Sequence, residues 1–263
     1  MKGQVIGGRW KIMHNFLRQA AYADVYAGCG AAVASSEAGV LAADGTSTGK
    51  LAPLCYLRND SPLPFSGAVV VSLIALASGE LTKVAEISAE VGAGGAAASL
   101  FCPDGDSLLG STVSSVATCG NFTSLLASAG CEPTTCFLDV RVKATTEARD
   151  DVLYAHNELL LAAPFQLQLP QIKLSVSAAA AVNDDGSVSV AVQADSTGVA
   201  AYVWLSTLAA GFFEPNGFML AERSKTIKTI KLPFGTLSAD GVALLQASVR
   251  VEHLGEHLPP PVT

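Results

Sequence analysis

Residues 172–192 read Ile172-Lys-Leu-Ser-Val-Ser-Ala-Ala-Ala-Ala-Val-Asn-Asp-Asp-Gly-Ser-Val-Ser-Val-Ala-Val192. Apolar residues occupy alternate positions at both ends of this stretch, and the Asn183-Asp-Asp-Gly186 segment between them is typical of a tight turn. Successive side chains of a strand point to opposite faces, so the alternation predicts two antiparallel strands with one buried face. The stretch therefore predicts a β-hairpin that packs on a core from one side.

The same period of two recurs along most of the chain. Residues 138–143 alternate Leu, Val and Val with charged residues, and residues 245–251 alternate Leu, Ala, Val and Val with polar residues. Both segments are predicted as strands. A short helix over 123–129, closed by Gly130, is predicted as an insertion between strands. Because turn residues rather than long helices separate the strands, the pattern favours antiparallel sandwiches over a parallel α/β sheet.

Helical spacing is persuasive only near the start of the chain. The apolar residues Trp10, Met13, Phe16 and Leu17 would share one face of a helix over 10–21. About 240 residues follow, and an immunoglobulin-like sandwich needs about 100. The fold class predicted is all-β: two immunoglobulin-like antiparallel β-sandwich domains preceded by one α-helix. The predicted boundaries are 1–22, 23–168 and 169–263, with the segment Pro164 to Pro170 as the joint between the sandwiches.

Charge and hydropathy exclude two classes of partner. The chain of 263 residues carries 16 basic and 23 acidic residues, a net charge of −7, and no dense basic run. Binding to nucleic acid or anionic lipid needs clustered cations, so neither is expected as a partner. Two uncharged windows, 61–79 and 196–213, are long enough to raise the question of a membrane span. Pro62 and Pro64 interrupt the first and Gly211 the second, so both are interpreted as buried strands.

Cysteines and glycosylation motifs suggest a secretory compartment. Cys131-Glu-Pro-Thr-Thr-Cys136 places two cysteines across a four-residue spacer with a proline, which is compatible with a local disulfide. The remaining four cysteines have no evident pairing: Cys29, Cys55, Cys102 and Cys119. Asn59-Asp-Ser61 and Asn121-Phe-Thr123 are acceptor motifs for N-glycosylation at Asn59 and Asn121. No apolar segment follows Met1, so no signal peptide is predicted in this chain.

Motifs that could carry chemistry all have simpler explanations. His253-Leu-Gly-Glu-His257 matches an inverted zinc-protease motif in its letters, but that motif needs a helix, and here it follows a predicted strand and precedes three prolines. It is interpreted as a surface loop, and no metal site or cofactor is predicted. Tyr202 and Trp204 share one face of a predicted strand and could form a platform for sugar rings. Packing in the core is the alternative explanation for both aromatics.

Three segments carry a family resemblance. Gly7-Gly-Arg-Trp-Lys-Ile-Met-His-Asn-Phe16 resembles the segment that closes the catalytic barrel of the β-mannosidases of glycoside hydrolase family 2. The loop from Cys131 to Cys136 resembles the short cysteine loop of that family. Tyr202-Val-Trp-Leu205, followed by Gly211-Phe-Phe-Glu-Pro-Asn-Gly-Phe-Met-Leu220, resembles its terminal immunoglobulin-like domain. The family usually has Phe-Ser-Asp-Asn in the last segment, so Glu214-Pro215 is a departure.

The resemblance implies a retaining glycosidase that removes terminal β-D-mannose from the non-reducing end of oligosaccharides, lysosomal in animals, in glycoprotein degradation. Its two catalytic glutamates would lie in barrel strands upstream of Met1, so no catalytic residue is assigned in this chain. Asn157-Glu158 imitates the Asn-Glu pair of the family's acid/base but falls in a sandwich, and it receives no catalytic role. The chain by itself is expected to be inactive.

The first hypothesis for function is therefore the C-terminal accessory region of a β-mannosidase. Its partners would be the catalytic barrel and N-terminal domains of the same enzyme, and the oligosaccharide substrate would be reached through the full-length protein. Lysosomal or secretory localisation follows from the resemblance and the acceptor motifs. One alternative is a free-standing carbohydrate-binding or adhesion module that uses Tyr202 and Trp204, and another is a membrane-associated interaction protein.

Overall fold

A computed structural model describes residues 4–5, 9–10, 24–32, 52–99, 126–146, 149–230 and 236–258. It confirms the all-β class with two antiparallel sandwiches. A two-stranded hairpin precedes them, formed by β1 (Gln4–Val5) and β2 (Arg9–Trp10). Trp10 thus belongs to a strand rather than to the expected helix, whose other residues, 11–21, lie outside the described residues.

The first sandwich packs a three-stranded sheet, in the order β3-β4-β7, against a four-stranded sheet, in the order β6-β5-β8-β9. Residues 138, 140 and 142 of β8 point into the core between the sheets, as their alternation predicts, and Val69, Val71 and Leu73 of β5 join them. The strands are β3 (Val25–Ala32), β4 (Ala52–Asn59), β5 (Phe65–Ala75), β6 (Leu81–Val91), β7 (Ala96–Ser99), β8 (Cys136–Thr146) and β9 (Arg149–Leu160).

The second sandwich packs a sheet in the order β10-β11-β15-β13 against a sheet in the order β14-β12-β16. The predicted hairpin is confirmed as β10-β11, with Val176 opposite Val192 and Val182 opposite Val188 across a bulge. Gly186 has a φ of +79°, which only the absence of a side chain makes easy. The strands are β10 (Leu174–Val182), β11 (Val188–Ala194), β12 (Ala200–Ser206), β13 (Phe212–Glu214), β14 (Phe218–Leu220), β15 (Ser224–Ile230) and β16 (Arg250–Glu252).

The strand predicted over 245–251 is wrong for most of its length. Residues Ala239–Ser248 form helix α1, and only Arg250–Glu252 pairs as a strand. The Ser238 hydroxyl accepts a hydrogen bond from the Gly241 N–H at 3.2 Å, which caps the helix at its start. Val242 and Leu245, three residues apart, are the buried residues of the helix. The helix therefore ends at residue 248 and the strand begins at residue 250. The apolar residues at the end of the helix and those of the strand together look like one alternating strand in the sequence.

Two other features of the chain concern helices. Residues 126–128 are helical and Gly130 follows with a φ of +64°, in agreement with the closing of the short helix predicted over 123–129, whose first residues lie outside the described part. Of the helices within the described residues, none combines the length and the apolar character needed to span a bilayer.

A third hydrophobic cluster joins the two sandwiches, and we call it the junction cluster. Its buried members come from both sandwiches and from the connection between them: Ile74, Leu76, Phe137, Leu167, Leu169, Val199, Ala201 and Met219. Backbone hydrogen bonds support it, because the Val199 N–H donates to the Leu76 carbonyl and the Leu76 N–H to the Thr135 carbonyl, both at 2.8 Å. The predicted joint contains a 3₁₀ turn, Pro164–Gln166, and the predicted boundary at residue 168 falls just after it.

Candidate functional site

Four polar side chains lie together on the outer face of the larger sheet of the first sandwich. The strand register places Asp139 of β8 opposite Glu158 of β9, and Arg141 opposite His156. Side chains two residues apart on a strand share a face, so the four form a two-by-two group. We call Asp139, Arg141, His156 and Glu158 the polar cluster. It adjoins the junction cluster, because Phe137 and Leu160 continue the same rows on β8 and β9.

Asp139 is the buried centre of the polar cluster. Asp139 is only 1% exposed, although it lies on the face of β8 that points away from the core of the first sandwich. The Arg141 Nε donates to its Oδ2 at 2.9 Å, and the His156 Nε2 forms a short hydrogen bond with its Oδ1. A carboxylate that leaves water needs such charged or hydrogen-bonding partners to offset its desolvation. Both oxygens of Asp139 are therefore engaged within the cluster.

Glu158 connects the polar cluster to the second sandwich. The Met219 N–H donates to the Glu158 Oε2 at 3.1 Å, and the Glu158 Oε1 lies 3.9 Å from the His156 Nε2. Burial raises the pKa of the Glu158 carboxyl above its usual value, while His156 and the Met219 N–H act in the opposite direction. The carboxyl thus occupies a poorly hydrated position between the two sandwiches.

Two titratable side chains of the second sandwich face Glu158. Burial lowers the pKa of the Lys225 ammonium, and the nearby Glu158 carboxylate partly offsets this effect. Burial also raises the pKa of the Tyr202 phenol, and Glu158 adds to that shift. The Lys225 ammonium lies over the Phe218 ring, 4.2 Å from its centroid. The site is therefore a partly dehydrated group of charges at the contact of the two sandwiches.

The cluster can hold a cation but is poorly arranged for glycoside hydrolysis. One ligand atom from each of Asp139, His156 and Glu158 lies within 4.8 Å of the other two. A retaining glycosidase places two carboxyls about 5 Å apart, and the carboxyls of Asp139 and Glu158 are within that distance. Asp139, however, is buried and has both oxygens bonded to its neighbours, so it has no oxygen free to attack a sugar.

Sequence reasoning missed this cluster. Its members belong to two strands and have no motif spacing, and Glu158 was considered only for its imitation of an acid/base pair. The available signal was the presence of Asp139 and Arg141 on one face of a strand whose opposite face, at residues 138, 140 and 142, is apolar. That pattern indicates a solvated face, and only the packing of the second sandwich against it turns the face into a buried contact.

The two aromatics of the possible sugar platform have different neighbours. Tyr202 is half-buried against the junction cluster, with a φ of +51° and its N–H donating to the Met219 sulfur at 3.3 Å. Trp204 stacks on His257, with ring centroids 5.4 Å apart and planes inclined by 18°. Packing against the junction cluster explains the presence of Tyr202. A sugar platform that includes Trp204 remains a prediction.

The His253–His257 pair does not converge on a common ligand position. His253 is buried; its Nε2 donates to the Ile172 carbonyl at 3.0 Å, and its Nδ1 accepts from the Gly255 N–H at 3.2 Å. His257 stacks on Trp204 instead. The segment is a 3₁₀ turn, Leu254–Glu256, and not the exposed loop expected at His253.

The modification sites have mixed outcomes. The predicted disulfide is present: Cys131 and Cys136 are joined, with Cα atoms 5.8 Å apart. Glycosylation at Asn59 is contradicted, because its side chain is fully buried and its Nδ2 donates to the carbonyls of Leu63 at 2.8 Å and Gly92 at 3.0 Å. Asn121 lies outside the described residues. Cys29 and Cys55 are directly opposite each other in the β3–β4 register.

Comparison with known proteins agrees with this architecture. The fold defines a pair of immunoglobulin-like sandwiches, and residues 167–257 match the family Ig_mannosidase, an Ig-fold domain. The structure of a β-D-mannosidase from Dictyoglomus thermophilum is similar over 94% of this chain and 23% of its own, with 16% identity and a TM-score of 0.52. The resemblance to the C-terminal region of the β-mannosidases is thereby confirmed in the fold.

A weaker likeness extends to another glycosidase. An exo-chitosanase from Amycolatopsis orientalis is similar over 77% of this chain and 24% of its own, with 14% identity and a TM-score of 0.39. The chain spans about a quarter of the length of both structures. No curated protein matches the chain in sequence.

Proposed function

We propose that this chain is the C-terminal accessory region of a β-mannosidase, an enzyme that removes terminal β-D-mannose from oligosaccharides in glycoprotein degradation. The observation that carries the proposal is the match of residues 167–257 to the Ig_mannosidase domain. In this proposal the partners are the catalytic barrel and N-terminal domains of the same enzyme, in a lysosomal or secretory compartment. The Cys131–Cys136 disulfide supports an oxidising compartment.

The junction cluster supports a bracing role for the two sandwiches. Apolar residues from both sandwiches and from the connection pack in one buried group. The disulfide loop is tied to the connection as well, because the Gln168 N–H donates to the Thr134 carbonyl at 2.9 Å. Such packing gives an accessory region a defined shape against which a catalytic domain can be held.

Activity tests this proposal. The longest reading frame that runs continuously into Gly7 is expressed and assayed with chromogenic β-mannoside, β-glucosaminide and β-galactoside. We expect turnover of the β-mannoside by the long product and none by residues 1–263 alone. If residues 1–263 alone hydrolyse the β-mannoside and Glu158→Gln abolishes that activity, Glu158 has a catalytic role and the proposal is refuted. If the long product is active only on the β-glucosaminide, the assignment to the β-mannosidases is refuted.

The free-standing carbohydrate-binding module is the second candidate. The stacked pair of Trp204 and exposed His257 is the observation that favours it, because stacked aromatic surface on the outer face of a sheet can receive a sugar ring. Affinity electrophoresis in mannan, with Trp204→Ala as the variant, distinguishes the two. Retardation of the wild-type chain that Trp204→Ala abolishes would favour the module, and equal mobility with and without mannan would favour the accessory region.

A further inference from the structure

We propose that Asp139, His156 and Glu158 form a binding site for a divalent transition metal ion, best suited to Zn²⁺, at the contact between the two sandwiches. The ligand atoms are one carboxylate oxygen from each acid and the imidazole nitrogen, all within 4.8 Å of one another. This site is separate from the proposed glycosidase function and does not depend on it.

The geometry is close to that of a bound ion. Zinc lies about 2.0–2.2 Å from nitrogen and oxygen ligands, so two ligands of a tetrahedral site are about 3.4 Å apart. The His156 Nε2 and the Glu158 Oε1 are 3.9 Å apart, and the His156 Nε2 already contacts the Asp139 Oδ1 directly. To hold an ion, the Glu158 carboxylate would have to approach the His156 Nε2 by about half an ångström, and the Asp139–His156 contact would have to open.

Outer partners hold both carboxylates in place. The Arg141 Nε donates to the Asp139 Oδ2 at 2.9 Å, and the Met219 N–H donates to the Glu158 Oε2 at 3.1 Å. Each acid thus has one oxygen anchored and the other directed to the cluster, which is the arrangement by which outer hydrogen bonds orient metal ligands. The ion would replace the proton in the Asp139–His156 hydrogen bond, with the two carboxylates as its anionic ligands.

The donor set selects the kind of ion. One imidazole with two carboxylates suits Zn²⁺ and neighbouring transition metals, whereas Ca²⁺ takes six to eight oxygen ligands and Mg²⁺ retains its water. Three protein ligands leave a fourth position for water. Because Glu158 is bonded to Met219 of the second sandwich, a bound ion would link β8 and β9 to β14 and stabilise the pair of sandwiches.

Calorimetric titration of the chelator-treated chain with Zn²⁺ tests the site, with Ca²⁺ and Mg²⁺ as comparisons. We expect one Zn²⁺ per chain, a higher melting temperature with Zn²⁺, and no binding of Ca²⁺ at the same concentrations. His156→Gln and Glu158→Gln should each weaken Zn²⁺ binding about tenfold or more. His257→Gln and Asp185→Asn, which alter an exposed histidine and an exposed carboxylate, are the matched controls and should leave the affinity unchanged.

A second measurement keeps the test decisive if a variant fails to fold. Modification of the wild-type chain with diethylpyrocarbonate, followed by peptide mapping, should show that Zn²⁺ protects His156 and leaves His257 reactive. Absence of stoichiometric Zn²⁺ binding, an affinity unchanged by His156→Gln and Glu158→Gln, or protection of His257 alone would overturn the proposal. Each of these results would leave the polar cluster as an ion-pair network without a metal.

Discussion

Replacing Leu76 by alanine should weaken the contact between the two sandwiches, so that they unfold separately. Leu76 is fully buried in the junction cluster, and its neighbours there come from both sandwiches. Its backbone hydrogen bonds to Thr135 and Val199, both 2.8 Å long, survive the substitution, so the side chain alone is removed. Truncation of a buried leucine costs the lost transfer free energy plus that of the cavity, about 2–5 kcal/mol. Part of this cost falls on the contact between the sandwiches, because Val199, Ala201 and Met219 of the second sandwich belong to the same cluster.

Calorimetry and urea unfolding measure this effect. We expect the wild-type chain to unfold in a single transition and Leu76→Ala to unfold in two, one for each sandwich. The matched control is Leu57→Ala, which removes an equally buried leucine from the core of the first sandwich only. A loss below about 1 kcal/mol for Leu76→Ala, or splitting of the transition to the same degree by Leu57→Ala, would refute the proposed coupling through the junction cluster.

Three further predictions concern single features of the chain. Peptide mapping without reductant should find Cys131 bonded to Cys136, and removal of this bond should cost about 2 kcal/mol by the entropy of closing so short a loop. Gly198→Ala should lower the melting temperature, because φ is +118° and a Cβ would lie 2.9 Å from a carbonyl oxygen. Hydrogen bonds from the Lys228 ammonium and from Ser187 lower the pKa of the Asp185 carboxyl. Its contribution to stability is therefore present at neutral pH and should be lost as the pH falls below about 4, which urea midpoints of wild type and Asp185→Asn would measure.

Each of these predictions has a distinct contrary result. Gly94 also has a positive φ, +73°, but nothing lies within 4 Å of its Cβ position. Gly94→Ala should therefore cost less than Gly198→Ala, and an equal cost would show that contact plays no part. Cys131 bonded to another cysteine would contradict the local disulfide. A difference between wild type and Asp185→Asn that is constant from pH 7 to pH 2 would contradict the role of the charged carboxylate.

Local alternation was sufficient to predict the central strands. The hairpin over 172–192 and the buried residues 138, 140 and 142 are in the predicted places, since the period of two follows from strand geometry alone. The same reasoning failed at 245–251, because the start of α1 depends on the Ser238 cap and on two buried residues three positions apart. A short helix followed at once by a strand can have the same pattern of apolar and polar residues as a single strand.

The amino-acid sequence by itself determined the alternating strands, the turn at 183–186 and the disulfide between neighbouring cysteines, because each depends on residues close together in the chain. The tertiary structure alone decided the site. Asp139 and His156 meet through the register of β8 and β9, and Glu158 is dehydrated because the second sandwich covers it and supplies the Met219 N–H. These contacts join residues up to 61 positions apart, and alternation within one strand cannot tell a face that meets water from a face that meets another domain.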